Sequence, residues 1–122
     1  MAKRKKTPRK KLEDALDKAW RDAVKERDKY ICQWCNKKVE SHNAHASHVI
    51  PKSWGKRLRW DLLNGKCLCF RCHIQVWHKD PIAGAEWFKD KFPERYEYLM
   101  EQKQKGYIKY EISDLEELLA EF

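Results

Sequence analysis

Two Cys-x-x-Cys pairs constrain this chain more than any other feature of its sequence. Cys32 and Cys35 form one pair, Cys69 and Cys72 form the other, and residues 36–68 separate them. Four thiolates from two such pairs give Zn²⁺ a closed tetrahedral sulfur shell, which is typical of a structural site and not of a catalytic one. Reduced core cysteines are the alternative, but two pairs in one short chain favour metal. We therefore predict a structural Zn²⁺ that contributes folding free energy directly.

The remaining composition indicates one small domain. The chain has 122 residues, which leaves room for a single modest core, and its six Trp, five Tyr and four Phe bury a large area per residue. Five cysteines are an odd number, and Cys67 lies outside the paired pattern, so we predict that Cys67 is a buried strand residue. No stretch approaches the roughly 20 apolar residues that span a bilayer. No apolar segment follows the basic N-terminus, as a secretory signal would require. We expect a soluble, cytoplasmic protein with no membrane partner.

The charge balance points to an anionic partner. Lys and Arg number 27 against 19 Asp and Glu, which gives a formal net charge of +8. Neutralising phosphates releases counterions and so drives the binding of nucleic acid. An ordinary solvated basic surface explains the charge equally well, so the partner has to be argued from particular residues. The residues that we predict to contact DNA phosphates are Lys52, Lys56, Arg57, Arg59 and Arg71.

Hydrophobic periodicity and capping residues predict a mixed helix and strand organisation. Residues 1–11 are basic and unpatterned, and we predict a disordered tail there. A helical period then runs from Leu12 to about Lys29, with Leu12, Leu16, Ala19 and Ala23 on one face and Trp20 and Val24 beside them. The later elements that we predict are a strand at 44–50, a basic loop at 51–63, a helix from Phe70 to about Lys79, a helix opened by Asp80-Pro81, a helix from Pro93 to near Gly106, a strand at 107–112 and a final acidic helix with a Ser113/Glu116 capping box.

A group of histidines lies between and just after the cysteine pairs. His48 ends the predicted strand before an apolar pair and Pro51, Asn64 follows in the sequence Asn-Gly, and His73 directly follows Cys72. In this arrangement the chain resembles the HNH endonuclease family over residues 30–80. A narrower set of residues is similar to the NinG/Rap group of phage recombination nucleases, through His45-Ala-Ser-His48, Arg59-Trp-Asp, Trp77-His78 and the segment from Glu86 to Tyr96.

The resemblance implies a fold and a role for each of several residues. The fold would be α+β, a small zinc-stabilised ββα-metal, treble-clef-like HNH core at 30–80 with added N-terminal and C-terminal helices, in one nuclease domain at 12–122 with a helical extension at 81–122. His48 would be the general base, because a neutral imidazole accepts a proton near neutral pH. Asn64 would steady the loop that carries the base. His73, with His45 and His78, would bind one catalytic divalent cation, which could be Mg²⁺, Mn²⁺, Ni²⁺ or Zn²⁺.

One position departs from the commonest family pattern. Many members carry an acidic residue or a second His just before the base, where this chain has Ser47, a poor ligand for a divalent cation. His45 is the expected replacement, although it shares a strand face with His48 only if the strand bulges or twists. Asp61 is the alternative ligand. On an α-helix, His78 would also be rotated away from the face of His73.

Three functions remain open from the sequence. The first is a metal-dependent DNA endonuclease that nicks or cuts both strands; the NinG/Rap likeness implies phage recombination intermediates and a host bacterial cytoplasm. The second is a non-catalytic zinc-knuckle module that binds nucleic acid, and Ser47 is its best support. The third is a protein-interaction module that uses the acidic last helix. The sequence does not choose between a monomer and a homodimer.

Overall fold

The computed structural model describes residues 5–122, so the first four residues of the predicted tail lie outside the described part. Two antiparallel strands are surrounded by helices. The elements are α1 (Pro8–Arg27), β1 (His45–His48), α2 (Lys56–Arg59), β2 (Gly65–Leu68), a π-helix (Arg71–Trp77), α3 (Pro81–Lys91), α4 (Pro93–Gln104) and α5 (Ile112–Ala120). Single 3₁₀ turns lie at Ser41–Asn43, Lys52–Trp54 and Leu62–Asn64. This mixture of helices with a small sheet agrees with the predicted α+β class.

Helix α1 begins earlier than the sequence predicted. It starts at Pro8 instead of Leu12, because the Thr7 hydroxyl accepts a hydrogen bond from the Lys10 backbone N–H at 3.1 Å and Pro8 occupies the tolerated first position. Asp14 then pairs with Lys10, one helical turn away, at 2.8 Å. The predicted disorder is therefore wrong for residues 8–11, where a cap and ion pairing outweigh the absence of an apolar period.

The inner face of α1 packs on the sheet and on α5. Its most buried apolar side chains are Leu16, Trp20 and Val24, so the predicted face was rotated, and Ala19 and Ala23 are only partly buried. The helix approaches β2 closely at Gly65, where a Cβ would lie 2.5 Å from the Trp20 ring. A glycine is required there because any side chain would push the helix away from the strand.

The two strands run antiparallel, with His45 opposite Leu68 and His48 opposite Gly65. The predicted strand at 44–50 is thus shorter than expected, since β1 spans only His45–His48. Cys67 is fully buried within β2, which confirms its predicted place as a buried strand residue. The sheet therefore holds His48 at the end of one strand and the second cysteine pair just beyond the other.

The helices after residue 80 form a second core beside the site. Asp80 caps α3 by accepting from the Ala83 N–H at 3.1 Å, and α4 ends just before Gly106, whose φ is 77°; both predictions are confirmed. Phe88 of α3 and Leu99 of α4 are fully buried against Ile50 and Leu58. The loop after β1 is consequently clamped between the strand and the C-terminal helices.

The last segment differs from its prediction. Within the described residues, 107–111 form no strand, and Tyr107 and Tyr110 instead lie beside the rings of Trp54 and Trp60. The capping box also lies elsewhere: Glu111 caps α5 and Asp114 bonds back to the Glu111 N–H at 2.8 Å, two residues before the predicted Ser113/Glu116 pair. Among residues 5–122, no helix combines the length and apolar composition needed to cross a membrane.

Candidate active site and metal centres

The four paired cysteines converge on one point. The Sγ atoms of Cys32, Cys35, Cys69 and Cys72 all lie within 4.8 Å of one another, and those of Cys35 and Cys69 are 3.9 Å apart. Sulfur atoms bound tetrahedrally to Zn²⁺ at about 2.3 Å would be about 3.8 Å apart. None of the five cysteines forms a disulfide. The donor set and its spacing fit a four-thiolate metal site, as the sequence predicted.

Backbone hydrogen bonds shape the first cysteine turn. The Asn36 N–H donates to the Cys32 carbonyl at 2.8 Å, and the Gln33 N–H donates to the Cys67 carbonyl at 2.9 Å, which attaches the turn to β2. Burial alone would raise the pKa of Cys32, but backbone N–H groups directed at its sulfur lower that pKa to about 7. Burial raises the pKa of Cys67 to about 11, so this thiol stays protonated. The paired and unpaired cysteines therefore differ in chemistry as well as in position.

His48 lies at the end of β1 with a defined orientation. Its ring stacks on Trp20, with centroids 3.9 Å apart and planes inclined by 9°. Its Nε2 lies 2.9 Å from the Arg59 carbonyl oxygen, which can only accept, so Nε2 carries the proton and Nδ1 keeps its lone pair. Burial lowers the pKa of His48 from its ordinary value, against a smaller opposing effect of the Arg59 carbonyl. The imidazole is thus held neutral, with Nδ1 available to accept a proton.

Asn64 ties together the loop that supports His48. The side chain is fully buried; its Oδ1 accepts from the Ile50 N–H at 2.8 Å, and its Nδ2 donates to the carbonyls of Ile50 and Leu58, both at 3.0 Å. Residues 50–58 are therefore closed into a fixed loop. The next residue after this loop is Arg59, whose carbonyl holds His48.

His45, His73 and His78 form a hydrogen-bonded chain. Nδ1 of His45 and Nδ1 of His73 are 2.9 Å apart, and Nε2 of His73 and Nε2 of His78 are also 2.9 Å apart. Nε2 of His45 faces the His42 carbonyl at 2.8 Å and so carries its proton. For neutral rings, Nδ1 of His73 then donates to His45, which leaves the lone pair of His73 Nε2 directed at His78. The pKa of His73 is lowered to about 4, mainly by burial and to a smaller extent by the neighbouring His78 and His45.

The π-helix explains how His78 reaches His73. The His78 N–H donates to the His73 carbonyl at 3.0 Å, an i to i+5 bond, so residues five apart stack on one face. The α-helical reasoning that rotated His78 away from His73 does not apply to this winding. Sequence periodicity offers no means of recognising a π-helix in advance, because the same residues are compatible with an α-helix.

The pair of Nε2 atoms on His73 and His78 fits one divalent cation. Two imidazole nitrogens bound at about 2.1 Å in adjacent octahedral positions would be about 3 Å apart, close to the observed 2.9 Å. His45 does not converge with them, because both of its nitrogens are occupied and it meets the opposite side of the His73 ring. Among residues 5–122, the four cysteines are the only group of three or more His, Cys, Asp or Glu ligands that converges within 4.8 Å.

The other two ligand candidates have partners elsewhere. Ser47 is buried, and its Oγ accepts from Lys66 Nζ at 3.1 Å. The Asp61 carboxylate accepts from the Leu63 N–H at 2.9 Å and from the Tyr98 hydroxyl. Neither side chain is directed at the histidines.

Lys66 is a buried amine that the sequence analysis missed. Its side chain is fully buried in β2, and Nζ lies 3.4 Å from the His48 carbonyl and 3.3 Å from the centroid of the Trp77 ring. Burial lowers the pKa of Lys66 well below its ordinary value. A lysine flanked by Gly65 and the Cys67-Leu-Cys run was the available signal, because a charged residue inside an apolar strand requires a special environment.

The five predicted DNA-contacting residues fall into two groups. Arg59 is mostly buried and makes a two-point contact with Asp17, at 3.0 and 2.8 Å, while Lys56 pairs with Glu13 at 3.1 Å. Arg57 donates to the Gly106 carbonyl at 2.8 Å. In contrast, Lys52 and Arg71 have exposed side chains, although Lys52 Nζ lies 3.6 Å from Asp17. Arg59 is therefore held within the fold, and Lys52 and Arg71 are free to reach outward.

One cavity of about 730 Å³ brings the histidines together. Its lining includes His48 from β1, His73 from the π-helix and His78 at the end of that helix. Lys52 and Lys103 also line this cavity, together with apolar side chains of α3 and α4. The predicted base and two of the predicted metal ligands thus face the same space, from elements that are far apart in sequence.

Comparison with known proteins agrees with this geometry. Residues 32–82, which include both cysteine pairs and all five histidines, match a family model described as HNH endonuclease. The match supports the HNH family and, with it, nuclease activity on DNA in general. It gives no support to the narrower NinG/Rap group. Neither the curated proteins nor the solved structures include a significant match.

Proposed function

We propose that the chain is a metal-dependent DNA endonuclease in which His48 acts as the general base. The observation that carries the proposal is the shared cavity, in which His48 faces the same space as His73 and His78. A base and a cation site that face one cleft are what hydrolysis of a phosphodiester needs. The family match over residues 32–82 supports the same reaction.

In this proposal His48 accepts the proton of an attacking water at Nδ1. Its Nε2–H stays on the Arg59 carbonyl, and stacking on Trp20 prevents the ring from rotating. Asn64 acts through the loop at 50–58 by fixing the backbone on which His48 rests. When bound, a divalent cation supplies charge that polarises the phosphate and stabilises the leaving oxygen. His73 and His78 would hold that cation through Nε2.

His45 is better suited to orienting His73 than to binding the cation. It accepts the Nδ1–H of His73 and thereby keeps the lone pair of His73 on Nε2, toward the cavity. Metal-binding histidines commonly donate their second N–H to such a partner, which fixes the tautomer and the ring. We therefore propose His73 and His78 as ligands and His45 as the residue that positions His73.

The DNA backbone is proposed to pass over the exposed basic residues around the cavity. Lys52 and Arg71 are the strongest candidates, because their side chains reach solvent. Lys56 and Arg57 contribute positive charge from within the fold, and Arg59 contributes mainly to packing against Asp17. Such contacts position a duplex without reading its sequence.

The four-cysteine site is proposed to hold structural Zn²⁺ in a treble-clef-like centre, within one domain over residues 12–122. A place in the NinG/Rap group, and action on recombination intermediates, is a finer proposal that depends on the sequence likeness alone. The competing function is a non-catalytic nucleic-acid-binding module. The buried Ser47, which offers no ligand atom to the cavity, favours that alternative.

Conversion of supercoiled plasmid to nicked or linear DNA tests the proposal. Purified protein is incubated with Mg²⁺, Mn²⁺, Ni²⁺ or EDTA, beside the variant His48→Ala and the matched control His42→Ala, whose side chain is exposed outside the cavity. We expect cleavage that needs a metal, is lost in His48→Ala and is kept in His42→Ala. Zinc-loaded protein that binds DNA but cleaves nothing with any metal would establish the binding module instead.

A further inference from the structure

The cleft that contains the histidines has an apolar half that hydrolysis does not require. Its lining includes Trp77, Tyr96 and Met100, together with the smaller apolar residues Pro81 and Ala85. Proton transfer and charge stabilisation need polar groups and a cation, and these aromatic and thioether side chains provide neither. The volume of about 730 Å³ lies within the roughly 300–1,000 Å³ typical of sites that enclose a small organic group.

We propose that this apolar half binds one unpaired nucleobase of the strand whose phosphate lies at His48. This inference rests on the proposed endonuclease function and adds to it a subsite on helices α3 and α4. The occupant is a base because the pocket is continuous with the site where the phosphate would react. A base attached to the neighbouring sugar is the nearest apolar, planar part of the substrate.

The lining has the chemistry that recognises a base without reading its identity. Aromatic side chains stack on the π-face that every base presents. Tyr96 on α4 is half-buried and lines the cavity, and Met100 lies one turn further along the same helix. A tyrosine next to a flexible thioether accommodates purines and pyrimidines alike.

The part of the lining formed by Trp77 is rigid. A Cβ on Gly84 would lie 2.7 Å from the Trp77 ring, so α3 packs directly against that ring, and Lys66 Nζ lies 3.3 Å from its centroid. Trp77 is therefore held from α3 and from β2, and it acts as a fixed boundary of the pocket. A pocket with one immobile wall loses little entropy when a base enters.

The charges at the rim also match a nucleotide. Lys52 and Lys103 line the same cavity, and Lys103 takes part in none of the ion pairs found among residues 5–122. Ammonium groups around an apolar centre suit a base flanked by phosphates. They are less suited to an apolar peptide, which would leave the charge of Lys103 without a partner.

A base that remains paired and stacked in a duplex cannot enter such a pocket, because it must first leave the helix. The expected consequence is faster cleavage next to an unpaired nucleotide. Stacking of one base on an aromatic side chain corresponds to about a 5- to 150-fold effect on binding. We expect kcat/KM for a duplex with one bulged nucleotide to exceed that for the paired duplex by a factor in this range.

The test compares the two duplexes with the wild-type protein and three variants. Ala85→Trp places a ring in the cavity from an exposed position on α3, and Tyr96→Leu removes the proposed stacking surface. Tyr107→Leu is the matched control, since Tyr107 is largely exposed and lies outside this cavity. We expect the ratio of kcat/KM between bulged and paired DNA to fall toward one in the first two variants and to stay unchanged in the control. Equal rates on both duplexes with the wild-type protein would overturn the proposal.

A binding measurement separates this proposal from the endonuclease function. 2-Aminopurine is placed at the bulge, and its fluorescence is recorded with zinc-loaded His48→Ala protein and no added divalent cation, where no cleavage occurs. We expect the emission to change on binding, and the change to be lost when Ala85→Trp is added. Absence of cleavage on any DNA would refute the endonuclease alone, whereas an emission change that persists in Ala85→Trp would refute the base pocket alone.

Discussion

Replacing Asn64 by alanine tests how the loop after β1 is held. The substitution removes three hydrogen bonds, to the Ile50 N–H, the Ile50 carbonyl and the Leu58 carbonyl. The side chain is fully buried, so water cannot replace these bonds without opening the loop. Each buried bond contributes about 1 kcal/mol net, and each group left unsatisfied costs about 1–3 kcal/mol.

We expect the free energy of unfolding to fall by about 3–5 kcal/mol in Asn64→Ala, because three groups lose their partner at once. A small domain is stable by only about 5–15 kcal/mol, so the variant should remain folded, but with little of its free energy of unfolding left. Activity should fall further than the folded fraction predicts. The loop leads into Arg59, and a displaced Arg59 carbonyl would release the Nε2 of His48.

Urea unfolding, followed by tryptophan fluorescence with zinc present, measures the loss. Asn43→Ala is the matched control, because the Asn43 side chain makes one hydrogen bond, accepted from the exposed Phe70 N–H at 2.8 Å. This substitution should lower the free energy of unfolding by about 1 kcal/mol. A loss below 1 kcal/mol in Asn64→Ala, with plasmid cleavage retained, would show that Asn64 does not support the loop.

Three further predictions concern zinc, pH and the buried lysine. Cys35→Ser should lose bound zinc and lower Tm, whereas Cys67→Ser should keep zinc, as measured by zinc content and thermal unfolding; equal zinc in both would contradict the four-thiolate site. The acid limb of kcat/KM should have an apparent pKa below 6.5, because burial lowers the pKa of His48, and a limb at or above 6.5 in the pH profile would contradict this. Lys66 has a folded-state pKa below its unfolded value, so the unfolded chain binds the extra proton and stability should rise with pH toward about 10.5. Lys66→Met should remove that part of the rise, as read from Tm between pH 7 and 10 in both proteins, and an unchanged slope would contradict it.

The parts of the fold that were predictable depend on local chemistry. The zinc ligands follow from two cysteine pairs, whose spacing is enough to define a site. The start of α3 follows from Asp80-Pro81, and the end of α4 from Gly106, because caps and breakers act within a few residues. The start of α1 was missed although Thr7-Pro8 is a cap of the same kind, since the surrounding charge run concealed it.

The histidine geometry was not predictable in the same way. An α-helix places Trp77 above His73, and only the π-helical winding puts His78 there instead. The orientation of His45 depends on the His42 carbonyl and on His73, which comes from a segment beyond β2. Sequence spacing identifies the residues with functional side chains. The winding of one helical turn decides which of their ring nitrogens faces the cavity.

The prediction of DNA contacts from positively charged residues was the least specific one. Arg59 has the same local surroundings in sequence as Lys56 and Arg57, yet it lies against Asp17 of α1. That contact joins residues far apart in the chain, so no local pattern distinguishes an arginine that binds phosphate from one that joins two elements. Burial of the guanidinium against a carboxylate favours the structural role for Arg59.

Ser47, which precedes the proposed base, and the buried Lys66 are in direct contact, so the two residues have to be considered together. Ser47 Oγ lies 3.1 Å from Lys66 Nζ, inside the fold and on the strand opposite. An acidic residue at this position, as in many HNH nucleases, would form an ion pair with Lys66 and would not be free to bind a cation. The cation ligands that we propose, the Nε2 atoms of His73 and His78, lie 2.9 Å apart and take no part in this Ser47–Lys66 contact. The departure from the family pattern is therefore compatible with a working metal site, provided that the π-helix supplies both ligands.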